Sequence, residues 1–237
     1  MPIYRIADLN VEVNPKFKIC RKRLESYAVK SNESGKTDIA ISVSDDEIRE
    51  RLRLSDNLSE QGAEDVLILS KFCNAVLDGF DGFFFHSSCL ELDGEGYVFS
   101  AVSGTGKSTH TALWRRHFGN RVTMINDDKP VIRKCDGKFY AYGTPWMGKA
   151  DIGTNTKAPV KAVYILHRAE ENTAVRVLPS QVMKQLLEAT VIDVERSRME
   201  KLLELLDEFF KETPLFLLGC NMDESAVMTA YNAANGG

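Results

Sequence analysis

The apolar positions of this 237-residue chain change period several times, and each change predicts an element. Residues 3–13 and 38–43 alternate apolar and polar side chains, the period of half-buried strands. The polar run 30–36 between them predicts a loop. Residues 47–54 predict a short charged helix with a solvated face. From Glu64 the period lengthens. Val66, Leu67, Leu69, Phe72, Cys73, Val76 and Leu77 recur at helical spacing, predicting a helix over 64–78 that Gly79-Phe80-Asp81-Gly82 ends. Two apolar runs follow, 83–92 and 97–102, around Asp93-Gly94-Glu95-Gly96, the pattern of an antiparallel hairpin.

Downstream, residues 108–118 predict a helix with Gly119 just past its end, and 121–126 a strand. A strand–loop–helix–strand unit of this length predicts a right-handed crossover between parallel strands. Residues 131–141 predict a second hairpin around Asp136-Gly137, and 161–167 and 175–178 further strands. Ser180 is expected to cap a helix through Leu187. Residues 196–210 form an amphipathic pattern whose Met199, Leu202, Leu203, Leu206, Phe209 and Phe210 are assigned to the core. A strand over 215–220 and a closing helix from Asp223 to Ala234 complete the pattern. The class is α/β with a mixed sheet. Its organisation reads as a β-rich annex over 1–60 and a main domain over 61–237, with no internal repeat or low-complexity tract.

Composition narrows the function classes. The net charge of −4 gives no global basic field for nucleic acid or an anionic membrane. The five cysteines are widely spaced and lack a C-x-x-C pair, which predicts reduced thiols serving mostly as core filler. The start, Met1-Pro2-Ile3-Tyr4-Arg5, lacks the apolar run of a secretion signal, and no apolar segment approaches the ~20 residues that cross a bilayer. The expectation is a soluble cytoplasmic protein.

Ser103-Gly104-Thr105-Gly106-Lys107-Ser108-Thr109 carries the strongest chemistry. Small residues let the backbone curl so that amide groups face a nucleotide's phosphates; Lys107 reaches the β/γ oxygens and the Ser108 hydroxyl holds Mg²⁺. The following helix adds the positive end of its dipole. Ala101 stands where G-x-x-x-x-G-K-[S/T] has its first glycine. Asp127-Asp128 follow about twenty residues after the loop, at the end of what is expected to be the adjacent strand. Neighbouring carboxylates repel unless a cation lies near, so one suits the metal and the other a proton. His86 lies on the first hairpin run; His110, His117 and His167 are assigned structural or exposed roles.

A hairpin with His on its first strand, then Ser-Gly-Thr-Gly-Lys-Ser, then a close Asp-Asp, resembles the HPr kinase/phosphorylase catalytic domain and the nucleotide-binding half of ATP-dependent phosphoenolpyruvate carboxykinases. The resemblance covers residues 83–150 and extends to the elements after 160. It implies a P-loop fold of that type, with ATP and Mg²⁺ as cofactors. Lys107 would neutralise the β/γ-phosphates, Ser108 and Asp128 would hold Mg²⁺, and Asp127 would be the general base. The two aspartates exchange roles if the other one faces the metal. His86 would stand by the transferred phosphoryl group, as a hydrogen-bond donor or a second-metal ligand. Pro145, Trp146 and Lys149 would border the acceptor pocket, with packing as the other role for Trp146 and solvation for Lys149. The chain is shorter than a full HPr kinase or carboxykinase, so HPr itself, phosphorolysis and oxaloacetate chemistry are not carried over. The resulting expectation is a kinase acting on a hydroxyl of a protein serine or small metabolite. A non-catalytic ATP-binding regulator and a stand-alone NTPase are the alternatives. Assembly into a homo-oligomer is left open by the habit of related kinases.

Overall fold

The computed structural model describes residues 1–30, 35–55, 57–102, 104–190 and 196–236. Most of the predicted 30–36 loop, and Ser103 of the expected phosphate loop, lie outside them. The first strand pattern resolves into β1 (Ile3–Ile6) and β2 (Leu9–Val13), an antiparallel pair with Ile6 opposite Leu9. Ala7 and Asp8 between them take left-handed φ values of 52° and 62°, the twist a two-residue hairpin needs. β3 (Ile39–Ile41) adds parallel to β2. Between them the chain forms α1 (Lys18–Leu24), which the sequence pattern did not predict; it buries only Cys20 and Leu24.

α2 (Asp45–Arg53) opens on a capping box in which Ser44 and Glu47 satisfy each other's backbone amides. α3 (Glu60–Gly79) starts at Ser59 and buries Ile68, Phe72 and Val76. Its apolar face joins the three-stranded sheet in one cluster that contains Ile6, Val11, Ile41, Phe72 and Trp146.

The expected strand over 83–92 is two strands. β4 (Gly82–Phe84) pairs with β8 (Val131–Cys135), whereas β5 (Ser87–Leu92) pairs with β6 (Glu95–Ser100) and β7 (Val122–Asp128). The chain changes partners at Phe85 and His86, so His86 lies at a strand break. β9 (Lys138–Tyr142) completes the second hairpin with β8. β10 (Lys157–Arg168) pairs antiparallel with β9 at its start and parallel with β6 farther along. The resulting nine-stranded mixed sheet runs β4-β8-β9-β10-β6-β5-β7, with β12 (Leu215–Cys220) also on β10 and β11 (Thr173–Arg176) on β12.

Two expectations are corrected. β6 and β7 are parallel in direction, because both run antiparallel to β5, but β5 lies between them and they are not neighbours. Ser180 does not cap a helix: Pro179–Gln181 form a short 3₁₀ turn and α5 (Met183–Thr190) begins after it.

Helices cover the sheet where its strands are apolar. α4 (Lys107–Phe118) and α7 (Ser225–Asn235) pack on β5, β6 and β10. α5 and α6 (Met199–Glu212) pack on a second cluster around Phe83, Phe139 and Phe209. Trp114 of α4 is fully buried, 4.8 Å from the Tyr97 ring and 5.5 Å from Phe99. Burying a side chain of that size stabilises by on the order of 3 kcal/mol, which fixes the helix that follows the loop. Among the described residues no helix is long and apolar enough to cross a membrane.

Candidate active site

The loop after β6 curls because glycine permits it. Gly104 has φ 80° and Gly106 φ 122°, and the Thr105 N–H closes a turn onto the Val102 carbonyl at 3.1 Å. Gly106 is the N-cap of α4 and supplies no side chain to it, and no acidic residue occupies the first turn. The opening amides of α4 therefore have no side-chain cap, at the positive end of the helix dipole. The Lys107 ammonium folds back onto the Ala101 carbonyl at 3.2 Å. Burial lowers its pKa, and the charges of Asp128 and Asp127 oppose that shift.

β7 runs through both aspartates. Antiparallel pairing puts Ser88 opposite Asp127 and Ser87 opposite Asp128. Asp127 is buried, and its Oδ1 accepts hydrogen bonds from the Ser108 hydroxyl at 3.1 Å and from Ser88. Asp128 faces the other way along the strand. Its Oδ1 lies 3.2 Å from His86 Nε2, and its Oδ2 accepts from the Lys129 ammonium. Burial alone would raise the Asp128 pKa, but hydrogen bonds from His86 and Lys129, with their charges, bring it down to about 2.

Asn126 holds the pair in place. It is fully buried; its amide donates to the Thr144 carbonyl at 2.9 Å, and its Oδ1 accepts the N–H groups of Asp128 and Lys129 at 3.0 and 2.7 Å. Gly148 packs on the opposite side with φ 70°. A Cβ there would stand 3.0 Å from Asp128 Cβ and 3.1 Å from the Asp127 carbonyl.

A cavity of about 530 Å³ unites these groups, with His86, Gly104, Gly106, Lys107, Ser108, Thr109, Asp127, Asp128 and Gly148 in its wall. Thr105 is adjacent in the loop. Lys149 also lines it, but Trp146 does not: it is buried, stacked on Phe72 at 5.9 Å and bonded through Nε1 to Asp65. A larger cavity of about 610 Å³ lies between α1 and the 145–153 segment, with Lys22, Arg23, Pro145 and Asp151 in its wall. Gly148 lies in the wall of both cavities.

Among the described residues no three or more His, Cys, Asp and Glu side chains cluster as a metal site. Mg²⁺ suits this arrangement nonetheless, because it binds through one or two carboxylates plus substrate phosphates and keeps several waters. The Ser108 hydroxyl and the Asp127 carboxylate stand side by side and would be the oxygen ligands. Sequence reasoning missed the contacts that Ser88, Asn126 and Gly148 make with the Asp pair. Asn126 alone had a readable signal, since Asn before a pair of Asp residues suits a side-chain-to-backbone turn.

No protein-family model and no curated protein matches the sequence. Among solved structures, the Hpr(Ser) kinase/phosphatase from Coxiella burnetii is similar over 65% of this chain and 93% of its own, at 12% identity and a TM-score of 0.36. A likeness that distant bears no functional weight.

Proposed function

We propose that the chain is a cytoplasmic ATP- and Mg²⁺-dependent kinase of the HPr-kinase type, with a P-loop over residues 101–109, that transfers the γ-phosphoryl group to a hydroxyl. The observation that supports it is the Ser108–Asp127 hydrogen bond at the opening of α4, with Lys107 and the Asp128–His86 pair on the same cavity. Lys107 and the uncapped amides of α4 bind the phosphates. Ser108 and Asp127 hold Mg²⁺, which neutralises charge on the β/γ oxygens. This assignment exchanges the aspartate roles implied by the resemblance, because Ser108 touches Asp127 and not Asp128. Asp128 then receives the acceptor's proton; a weak base suffices when the proton leaves late in a loose phosphoryl transfer. His86 orients that carboxylate. The 610 Å³ cavity beyond Gly148 is the acceptor side, with a size suited to a small molecule or a serine-bearing segment.

A second reading, an ATP-binding regulator without turnover, is favoured by one observation: both Asp128 oxygens already have partners, His86 on Oδ1 and the Lys129 ammonium on Oδ2. One experiment separates the two. Purified protein is incubated with Mg²⁺ and γ-labelled ATP against a cell extract, beside Asp127→Asn, with ATP binding followed by calorimetry. Transfer that disappears in Asp127→Asn supports the kinase. Tight binding without transfer supports the regulator, and absence of binding overturns both.

A further inference from the structure

Arg168 ends β10 and touches the loop from outside its cavity. Its Nη2 donates to the Gly104 carbonyl at 2.7 Å, and its Nε to the Thr105 carbonyl at 3.4 Å. The backbone beneath it is fixed by parallel pairing, with Arg168 opposite Cys220 and the Ala169 N–H on the Cys220 carbonyl at 3.2 Å. No carboxylate pairs with Arg168 among the described residues, so its fork is spent on the loop backbone.

We infer that Arg168 is a positioning residue of the nucleotide site, an inference that rests on the ATP-binding reading above. The C=O and N–H of a trans peptide unit point in opposite directions. Drawing the Thr105 carbonyl toward Arg168 therefore turns the Gly106 N–H away from it, and Gly106 lines the cavity. The Gly104 carbonyl is withdrawn in the same way, which moves the negative ends of two peptide dipoles away from an incoming anion. The guanidinium also places a permanent positive charge at the loop. Both effects favour phosphate, and neither requires Arg168 to enter the cavity. Arg168 is exposed and contributes nothing to the apolar core, so its loss should spare the fold.

The test measures ATP and inorganic pyrophosphate affinity by calorimetry, with melting temperature alongside, for wild type, Arg168→Ala and Arg168→Lys. Pyrophosphate engages the loop without a base or ribose. Arg168→Ala should weaken both ligands at least tenfold by a common factor, with an unchanged melting temperature. Arg168→Lys should recover part of the loss, because it keeps the charge but not the planar fork. Affinities within twofold of wild type in Arg168→Ala would overturn the inference and leave the ATP site standing. A loss confined to ATP would also overturn it. If Arg168→Ala does not fold, wild-type affinity in Arg168→Lys overturns it alone. A wild-type protein that binds no ATP removes the reading on which the inference rests, and the inference with it.

Discussion

Ser108 donates its hydroxyl to Asp127 Oδ1 across 3.1 Å, joining the first turn of α4 to the end of β7. The same oxygen accepts the Ser88 hydroxyl from the neighbouring strand. Asp127→Asn keeps the shape and removes the charge. It should reduce phosphoryl transfer at least ~10²-fold, the scale of losing a preorganised electrostatic group. Ser108→Ala should raise the Mg²⁺ concentration needed for half-maximal rate. Initial rates across a Mg²⁺ titration check both.

Lys107→Ala should lower the rate by roughly 10²–10³-fold, because it removes a positive charge where negative charge grows in the transition state. Steady-state kinetics give the answer, and wild-type activity in this variant would exclude the loop as the catalytic nucleotide site.

Gly148→Ala combines a left-handed backbone with a collision at the Asp pair, since the new methyl would stand 3.0 Å from Asp128 Cβ. Gly94→Ala is the matched control: its φ is 85° and nothing lies within 4 Å. Urea denaturation should show a loss of about 1 kcal/mol for Gly94→Ala, from backbone strain alone. Gly148→Ala should lose more and should also lose activity.

Buried His110 accepts a hydrogen bond from Trp114 Nε1 at 3.0 Å, and burial lowers its pKa to about 4. The unfolded chain binds its proton near pH 6.5 while the folded chain does so only near pH 4. Stability from this group is therefore complete above pH 6.5 and declines as pH falls toward 4. Between pH 7 and pH 5 the decline is about 2 kcal/mol. Denaturant midpoints at the two pH values should show it in wild type and not in His110→Gln, which keeps an acceptor for Trp114.

Lys22→Glu reverses a charge in the wall of the 610 Å³ cavity. Once the acceptor is known, its KM should change while the KM for ATP stays within twofold. A change in the ATP value alone would place the acceptor elsewhere.

The glycine-rich loop, the helix after it and the nearness of the Asp127-Asp128 pair to that loop were legible because each depends on local rules: glycine conformations, helix opening, strand direction. The strand break at His86 was not. Phe83 to Leu92 read as one apolar run, since both halves are buried; only pairing partners distinguish β4 from β5. α1 was hidden for the opposite reason, as its few buried positions, Cys20 and Leu24, set too short a pattern. Which aspartate meets Ser108 and which meets His86 was equally beyond local reading. It depends on which face of β7 meets Ser88 and which meets His86, and a register set by β5 decides that.

β10 carries twelve residues, with a register shift against β6 between Val160 and Ala162. At its start the Lys157 ammonium pairs with Asp8, in the β1–β2 turn, and at its finish Arg168 grips the loop. The strand thus has a tie at each tip. One strand therefore carries both the side chain that holds the first turn of the amino-terminal sheet and the side chain that holds the glycine-rich loop.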